Sequence, residues 1–152
     1  MLWIFLLLIH GLCAVALLGA LTHQSVSVVY RSRPKRDLIR SFGAVRSNIY
    51  TNTIVALYIV TFALGGWIYA PYRYMSRPVL EDLGFFQAVA LFDLKEHVAA
   101  VCLFLIPAYW LLWARVPLSQ SKHARAALTI LLAVGSWFSF VVGHVLNNFR
   151  GI

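Results

Sequence analysis

Four long apolar stretches constrain this sequence more than any other feature. They cover about residues 2–23, 50–70, 90–114 and 126–147 of a chain of 152 residues. An α-helix needs about 20 apolar residues to cross a bilayer. Backbone groups in lipid must be hydrogen-bonded within the protein, and no alternating short strands suggest a barrel. The predicted fold class is therefore all-α, a single integral membrane four-helix bundle.

The composition leaves no room for a separate soluble domain. Hydrophobic residues make up 61% of the chain and charged residues 12%, whereas a soluble domain is about half apolar and about a quarter charged. A net charge of +8 would suggest nucleic acid in a soluble protein, but here the basic residues follow the membrane topology. We therefore predict no nucleic-acid partner, and we expect the lipid bilayer and other membrane subunits instead.

Lysine and arginine mark the cytoplasmic side of a membrane protein, and here they concentrate in two connections. Connection 24–49 carries six basic residues against one acidic residue, and connection 115–125 carries three basic residues and no acidic one. Both connections are predicted to be cytoplasmic, which places both termini outside a bacterial inner membrane. Within the first connection, residues 36–50 are predicted to form either a short interfacial helix or a solvated basic loop.

Three of the five histidines are predicted to reach a similar depth in the membrane. Counting about 1.5 Å per residue from the cytoplasmic ends places His10, His97 and His144 in the outer third of the bilayer. We call these three residues the outer trio. Ionisable groups within membranes are rare and usually face the bundle interior, so we predict a functional site there, with His97 inside the bundle. His23 and His123 lie at the cytoplasmic boundary and are interpreted as structural.

Haem b is the ligand that best explains membrane histidines on separate helices. It takes one or two imidazoles as axial ligands in an apolar pocket, so we predict two ligands from the outer trio. Arg73, Arg77 and Lys95 lie on the same outer side and would supply positive charge for the propionates. Two alternatives stay open: a three-histidine metal site assisted by Glu96 or Asp93, and simple hydrogen bonding between helices.

This layout resembles small four-helix membrane proteins that hold haem b through histidines, and loosely the membrane-embedded protoporphyrinogen oxidase family. The resemblance is carried by a histidine early in span one, His10, and by a lysine and a histidine near the start of span three, within Leu94–His97. The order of the lysine and the histidine differs from the pattern of that family. The resemblance implies haem binding, and we do not transfer the enzymatic activity.

Two functions are compatible with these features. The first is a haem-bearing electron-transfer subunit of a larger membrane redox complex, and the second is an accessory subunit without a cofactor of its own. The sequence contains neither a nucleophile–histidine–carboxylate arrangement nor a glycine-rich phosphate loop, so a non-catalytic subunit is favoured. The two cysteines, Cys13 and Cys102, form no CxxC or CxxCH motif, which argues against covalently attached haem. Both are predicted to be small buried hydrophobic residues.

Overall fold

The computed structural model of the protein describes residues 2–30 and 49–148, and nearly all of these residues belong to helices. Four helices are long and apolar enough to cross a membrane, which confirms the predicted all-α architecture and is consistent with a multi-pass membrane protein. The orientation of the termini stays a prediction, and the proposed interfacial segment lies largely outside the described residues. The helices are α1 (Leu2–Tyr30), α2 (Tyr50–Pro71), α3 (Arg77–Asp82), α4 (Phe86–Ala114) and α5 (Leu118–Asn148).

The helices form a ring in which each long helix packs mainly against two neighbours. Helix α1 contacts α2 and α5, and α4 contacts the same two helices from the opposite side. The helices α1, α4 and α5 contain 29, 29 and 31 residues. At about 1.5 Å per residue they exceed the hydrocarbon thickness of about 30 Å. Their ends therefore reach beyond the apolar core, further than the predicted spans.

The second span continues past residue 70 as helix, where the sequence predicted a connection. A π-helical turn, Tyr72–Ser76, joins α2 to α3, and the Arg77 amide donates to the carbonyl of Tyr72 five residues earlier. Pro71 and Pro78 flank this turn, and a proline has no amide hydrogen for the helical ladder. One extra residue in a turn rotates the following helix by about 100°. This rotation turns the Arg77 guanidinium toward α4.

The turn between α3 and α4 is short because Gly84 reverses the chain within three residues. Gly84 has a φ angle of +78°, a left-handed conformation that glycine adopts without steric cost. The Phe85 amide donates to the Leu80 carbonyl at 2.8 Å, and the Gly84 amide donates to the Glu81 carbonyl at 3.0 Å. These two hydrogen bonds form a Schellman motif that ends α3.

One half of the bundle is closely packed, and we call it the inner half: residues 18–30, 49–57 and 102–135. The remaining described residues form the outer half, and both names follow the predicted orientation. Four of the largest fully buried side chains of the inner half are Leu21, Ile54, Tyr109 and Leu132.

Helices α4 and α5 are in close contact at Gly135 in the inner half. A Cβ atom added to Gly135 would lie 2.4 Å from the sulfur of Cys102, a distance that real side chains do not tolerate. Small residues at helix contacts let two backbones approach in this way. Cys102 is a buried free thiol, and Cys13 is a half-buried free thiol, so the prediction of burial is confirmed for Cys102 only.

Several polar groups of the inner half are hydrogen-bonded to one another across helices. The Tyr109 hydroxyl donates to the side-chain oxygen of Gln24 at 2.5 Å, and both residues are 0% exposed. The Trp113 indole donates to the Thr129 hydroxyl at 3.1 Å, and the Arg125 guanidinium lies 5.2 Å from the centre of the Trp113 ring. Buried polar groups are stable when they are paired in this way.

Candidate functional site

All four membrane-crossing helices line one cavity in the outer half, which we call the outer cavity. Its volume is about 450 Å³, within the range of about 300–1,000 Å³ that is typical of small-molecule sites. Aromatic and aliphatic side chains form most of its wall, and two histidines, His10 and His144, line it from α1 and α5. Further polar lining comes from Thr61, Lys95, Glu96, Ser136 and Ser139.

His10 is held in a defined orientation at the wall of the outer cavity. Its Nδ1 atom lies 3.0 Å from the backbone carbonyl oxygen of Thr61. A carbonyl can only accept a hydrogen bond, so Nδ1 carries the hydrogen and Nε2 of the neutral ring keeps its lone pair. A Cβ atom at Gly65 would lie 3.2 Å from the ring, which shows how closely the imidazole packs on α2. Metal-binding histidines are oriented in the same way by a carbonyl behind the ring.

His144 lies at one end of a stripe of α5 residues that faces the outer cavity. Ser136, Ser139, Phe140 and Gly143 share this face with His144, at the spacing of three and four residues that one helical face requires. The His144 ring lies nearly parallel to the ring of Phe140, with 6.3 Å between their centres. The structure therefore brings two members of the outer trio, from adjacent helices, to the same cavity.

His97 does not face the outer cavity, and the prediction that it lies inside the bundle is wrong. Its ring is exposed on α4, and Nδ1 lies 2.6 Å from the backbone carbonyl oxygen of Asp93, one turn earlier. Successive residues of a helix point about 100° apart. Because Lys95, Glu96 and Ala99 turn toward the cavity, His97 between them is turned away. The depth of a residue along a helix does not indicate which way it faces.

Lys95 and Glu96 bring opposite charges to the wall of the outer cavity. The Lys95 Nζ atom lies 2.7 Å from a carboxylate oxygen of Glu96 and 4.2 Å from the centre of the Phe92 ring. A cation over an aromatic face and beside a carboxylate is doubly stabilised at low dielectric. Of the three cations proposed for haem propionates, Lys95 is the one in the cavity lining.

The two arginines are placed at the outer end of the bundle, outside the cavity lining. Arg77 pairs with Glu81 at 2.8 Å and with Asp93 at 3.1 Å, and thereby connects α3 to α4. Arg73 is exposed and donates to the Tyr69 hydroxyl at 3.0 Å. Arg77 therefore has carboxylate partners of its own, and it contributes to the joining of α3 and α4.

A metal site built from three histidines has no support in the part of the chain that the structure describes. No group of three or more histidine, cysteine, aspartate or glutamate residues is placed there to hold a metal ion. The reason is the outward orientation of His97, which separates it from His10 and His144.

Three hydroxyl groups on the cavity wall were not identified from the sequence. The side-chain oxygens of Thr61, Ser136 and Ser139 are buried, and none has a hydrogen-bond partner among residues 2–30 and 49–148. Ser136 is the most enclosed of them, with 8% of its surface exposed. The available signal was the spacing of Ser136, Ser139 and Gly143, which places small residues on one face of an apolar helix.

Comparison of the chain with protein-family models, with characterised proteins and with solved structures gives no match. The function must therefore be argued from the site itself.

Proposed function

We propose that this protein is a small redox subunit of a larger membrane complex, and that the outer cavity holds haem b for electron transfer. The observation that carries this proposal is the geometry of His10. Its Nδ1 is committed to the Thr61 carbonyl, so that Nε2 is the atom left to bind iron. Haem b supplies one-electron chemistry when it is bound by such imidazoles.

The other cavity residues support haem b as the ligand. His144 lines the cavity from α5, and the pair of axial ligands is therefore His10 and His144, without His97. Aromatic walls such as those formed by Phe62 and Phe140 suit an apolar macrocycle. Lys95 offers a positive charge to a propionate, although it must then share that charge with Glu96.

The way in which the described part of the chain is built supports the proposed role as a subunit. Its residues belong almost entirely to helices that can cross a membrane, so little surface is available outside the membrane for a soluble electron donor or acceptor. Redox partners would therefore be other subunits in the same membrane, for which we propose the bacterial inner membrane. An accessory role without a cofactor is the alternative if the purified protein carries no haem.

An absorbance spectrum of the full chain, purified with its native partners, tests the haem proposal. We expect a b-type signal in the reduced-minus-oxidised difference at about one haem per chain. His10→Ala and His144→Ala should each abolish or shift this signal. His97→Ala is the matched control and should leave it unchanged, since that ring faces away from the cavity. A wild-type preparation without a b-type signal, or a loss of signal in His97→Ala alone, would contradict the proposal.

A further inference from the structure

We propose that the outer cavity also accepts the ring of a membrane quinol, hydrogen-bonded to serines of α5 and to His10. This inference rests on the proposed function in one respect, namely that the outer cavity is the redox site. It starts from the hydroxyls of Thr61, Ser136 and Ser139, which have no partner in the described part of the chain. A buried hydroxyl is destabilising unless it is hydrogen-bonded. These groups therefore point to a ligand that brings oxygen atoms into the cavity.

The size and the wall of the cavity fit a single substituted ring. A water molecule takes up about 30 Å³ of liquid, so a cavity of about 450 Å³ has space for a ring with its substituents and the start of an apolar tail. Aromatic side chains such as Phe62, Phe92 and Phe140 line it, and flat rings pack well against such faces.

The polar groups of the cavity suit the two oxygens of a quinol. His10 accepts hydrogen bonds through Nε2, because its Nδ1 already donates to Thr61, and one quinol hydroxyl can donate to it. The Ser136 and Ser139 hydroxyls come from α5 and can donate to the oxygen at the other end of the ring. The macrocycle of haem b has no oxygen within its ring system, so its apolar face would leave these serines without a partner.

The same argument predicts which oxidation state binds more tightly. An oxidised quinone has two carbonyl oxygens, which only accept hydrogen bonds, and the Nε2 lone pair of His10 cannot donate to either of them. A quinol donates through one hydroxyl and accepts through the other oxygen. The cavity should therefore prefer the reduced form. A quinol and haem b would both contact His10, so that one ligand excludes the other.

Binding measurements on the full chain in lipid nanodiscs test this inference. The probe is a ubiquinol analogue with a decyl tail, kept reduced under nitrogen, and the oxidised analogue is measured beside it by calorimetry. Ser136→Ala should weaken quinol binding about tenfold, the effect of one lost hydrogen bond. Ser27→Ala is the matched control, because Ser27 is a buried serine of the inner half that donates to the Gln24 carbonyl at 2.8 Å. It should bind the quinol as the wild type does.

The possible results separate this inference from the haem proposal, because the absorbance of each preparation is recorded as well. Quinol binding by a chain without a b-type signal supports the inference and contradicts haem b. Absence of quinol binding by the chain after its haem has been removed overturns the inference, and a b-type signal before that removal leaves the haem proposal standing. If Ser136→Ala does not fold, Ser139→Ala takes its place with the same expected loss. The inference is overturned if these serine variants bind the quinol as tightly as Ser27→Ala does. It is also overturned if the wild type binds the oxidised analogue more tightly than the reduced one.

Discussion

The two halves of the bundle are built from the same four helices, but their polar groups find partners in different ways. In the inner half, Tyr109 is bonded to Gln24 and Trp113 to Thr129, and the helices close around these pairs. In the outer half, His10, Ser136 and Ser139 face a shared cavity instead of one another. The inner half is thus held together by paired polar groups, whereas the outer half contains a cavity for which we propose a ligand.

Small residues show the same contrast between the halves. Gly135 allows α4 and α5 to touch in the inner half, where an added methyl group would collide with Cys102. Gly65 lies at the same cavity as His10 and leaves space for the imidazole ring. Gly135 therefore allows two helices to pack together, whereas Gly65 makes room for the side chain of His10.

The largest expected effect comes from adding a methyl group at Gly135, where α4 and α5 touch in the inner half. Gly135→Ala should lower the free energy of unfolding in detergent micelles by about 2–3 kcal/mol, because the new methyl group overpacks against the Cys102 sulfur. Gly66→Ala is the control: no atom lies within 4 Å of a Cβ there, so its stability should stay equal or rise. Adding Cys102→Ala to the Gly135 variant should restore part of the loss. Equal stability of the two glycine variants would show that the helices do not meet at Gly135.

A smaller loss is expected when a polar pair of the inner half is broken. Gln24→Leu removes the acceptor of the Tyr109 hydroxyl, and a buried donor left without a partner costs about 1–3 kcal/mol. Adding Tyr109→Phe removes that donor as well. The double variant should therefore be more stable than Gln24→Leu alone when unfolding is followed by steric trapping. A double variant whose loss equals the sum of both single losses would mean that the two groups do not interact.

The smallest effect is expected on the cavity wall. Ser136→Ala should not lower the free energy of unfolding without added ligand, because its buried hydroxyl has no partner among the described residues that would be lost and a buried hydroxyl without a partner is itself destabilising. The same steric-trapping measurement on Gln24→Leu provides the comparison. A loss at Ser136 as large as that at Gln24 would remove the contrast between the halves, because it would show that the outer serine contributes to packing.

The spans and the fold class could be predicted because the bilayer imposes a simple requirement. A chain in lipid must hydrogen-bond its own backbone groups, and a long apolar stretch does so by forming an α-helix. All four predicted stretches lie within helices. Even so, the end of the second span was missed, since the span was predicted to end near residue 70, whereas the helix continues through a π-helical turn. Hydropathy indicates where apolar residues stop, and it does not indicate where a helix stops.

Which residues form the site was decided only by the tertiary structure. The sequence by itself determined that His10, His97 and His144 lie at comparable positions along three helices, and that Lys95 and Glu96 begin the third span. The rotation of each helix then brought His10 and His144 to the outer cavity and turned His97 outward. This rotation depends on contacts such as Gly135 with Cys102 and Arg77 with Asp93, which join residues far apart in the chain. Helices α1, α2 and α4 carry almost no apolar asymmetry of their own, because in a membrane both the lipid-facing and the buried side are hydrophobic. Periodicity therefore could not show which side of a helix faces its neighbours, and packing alone supplied that choice.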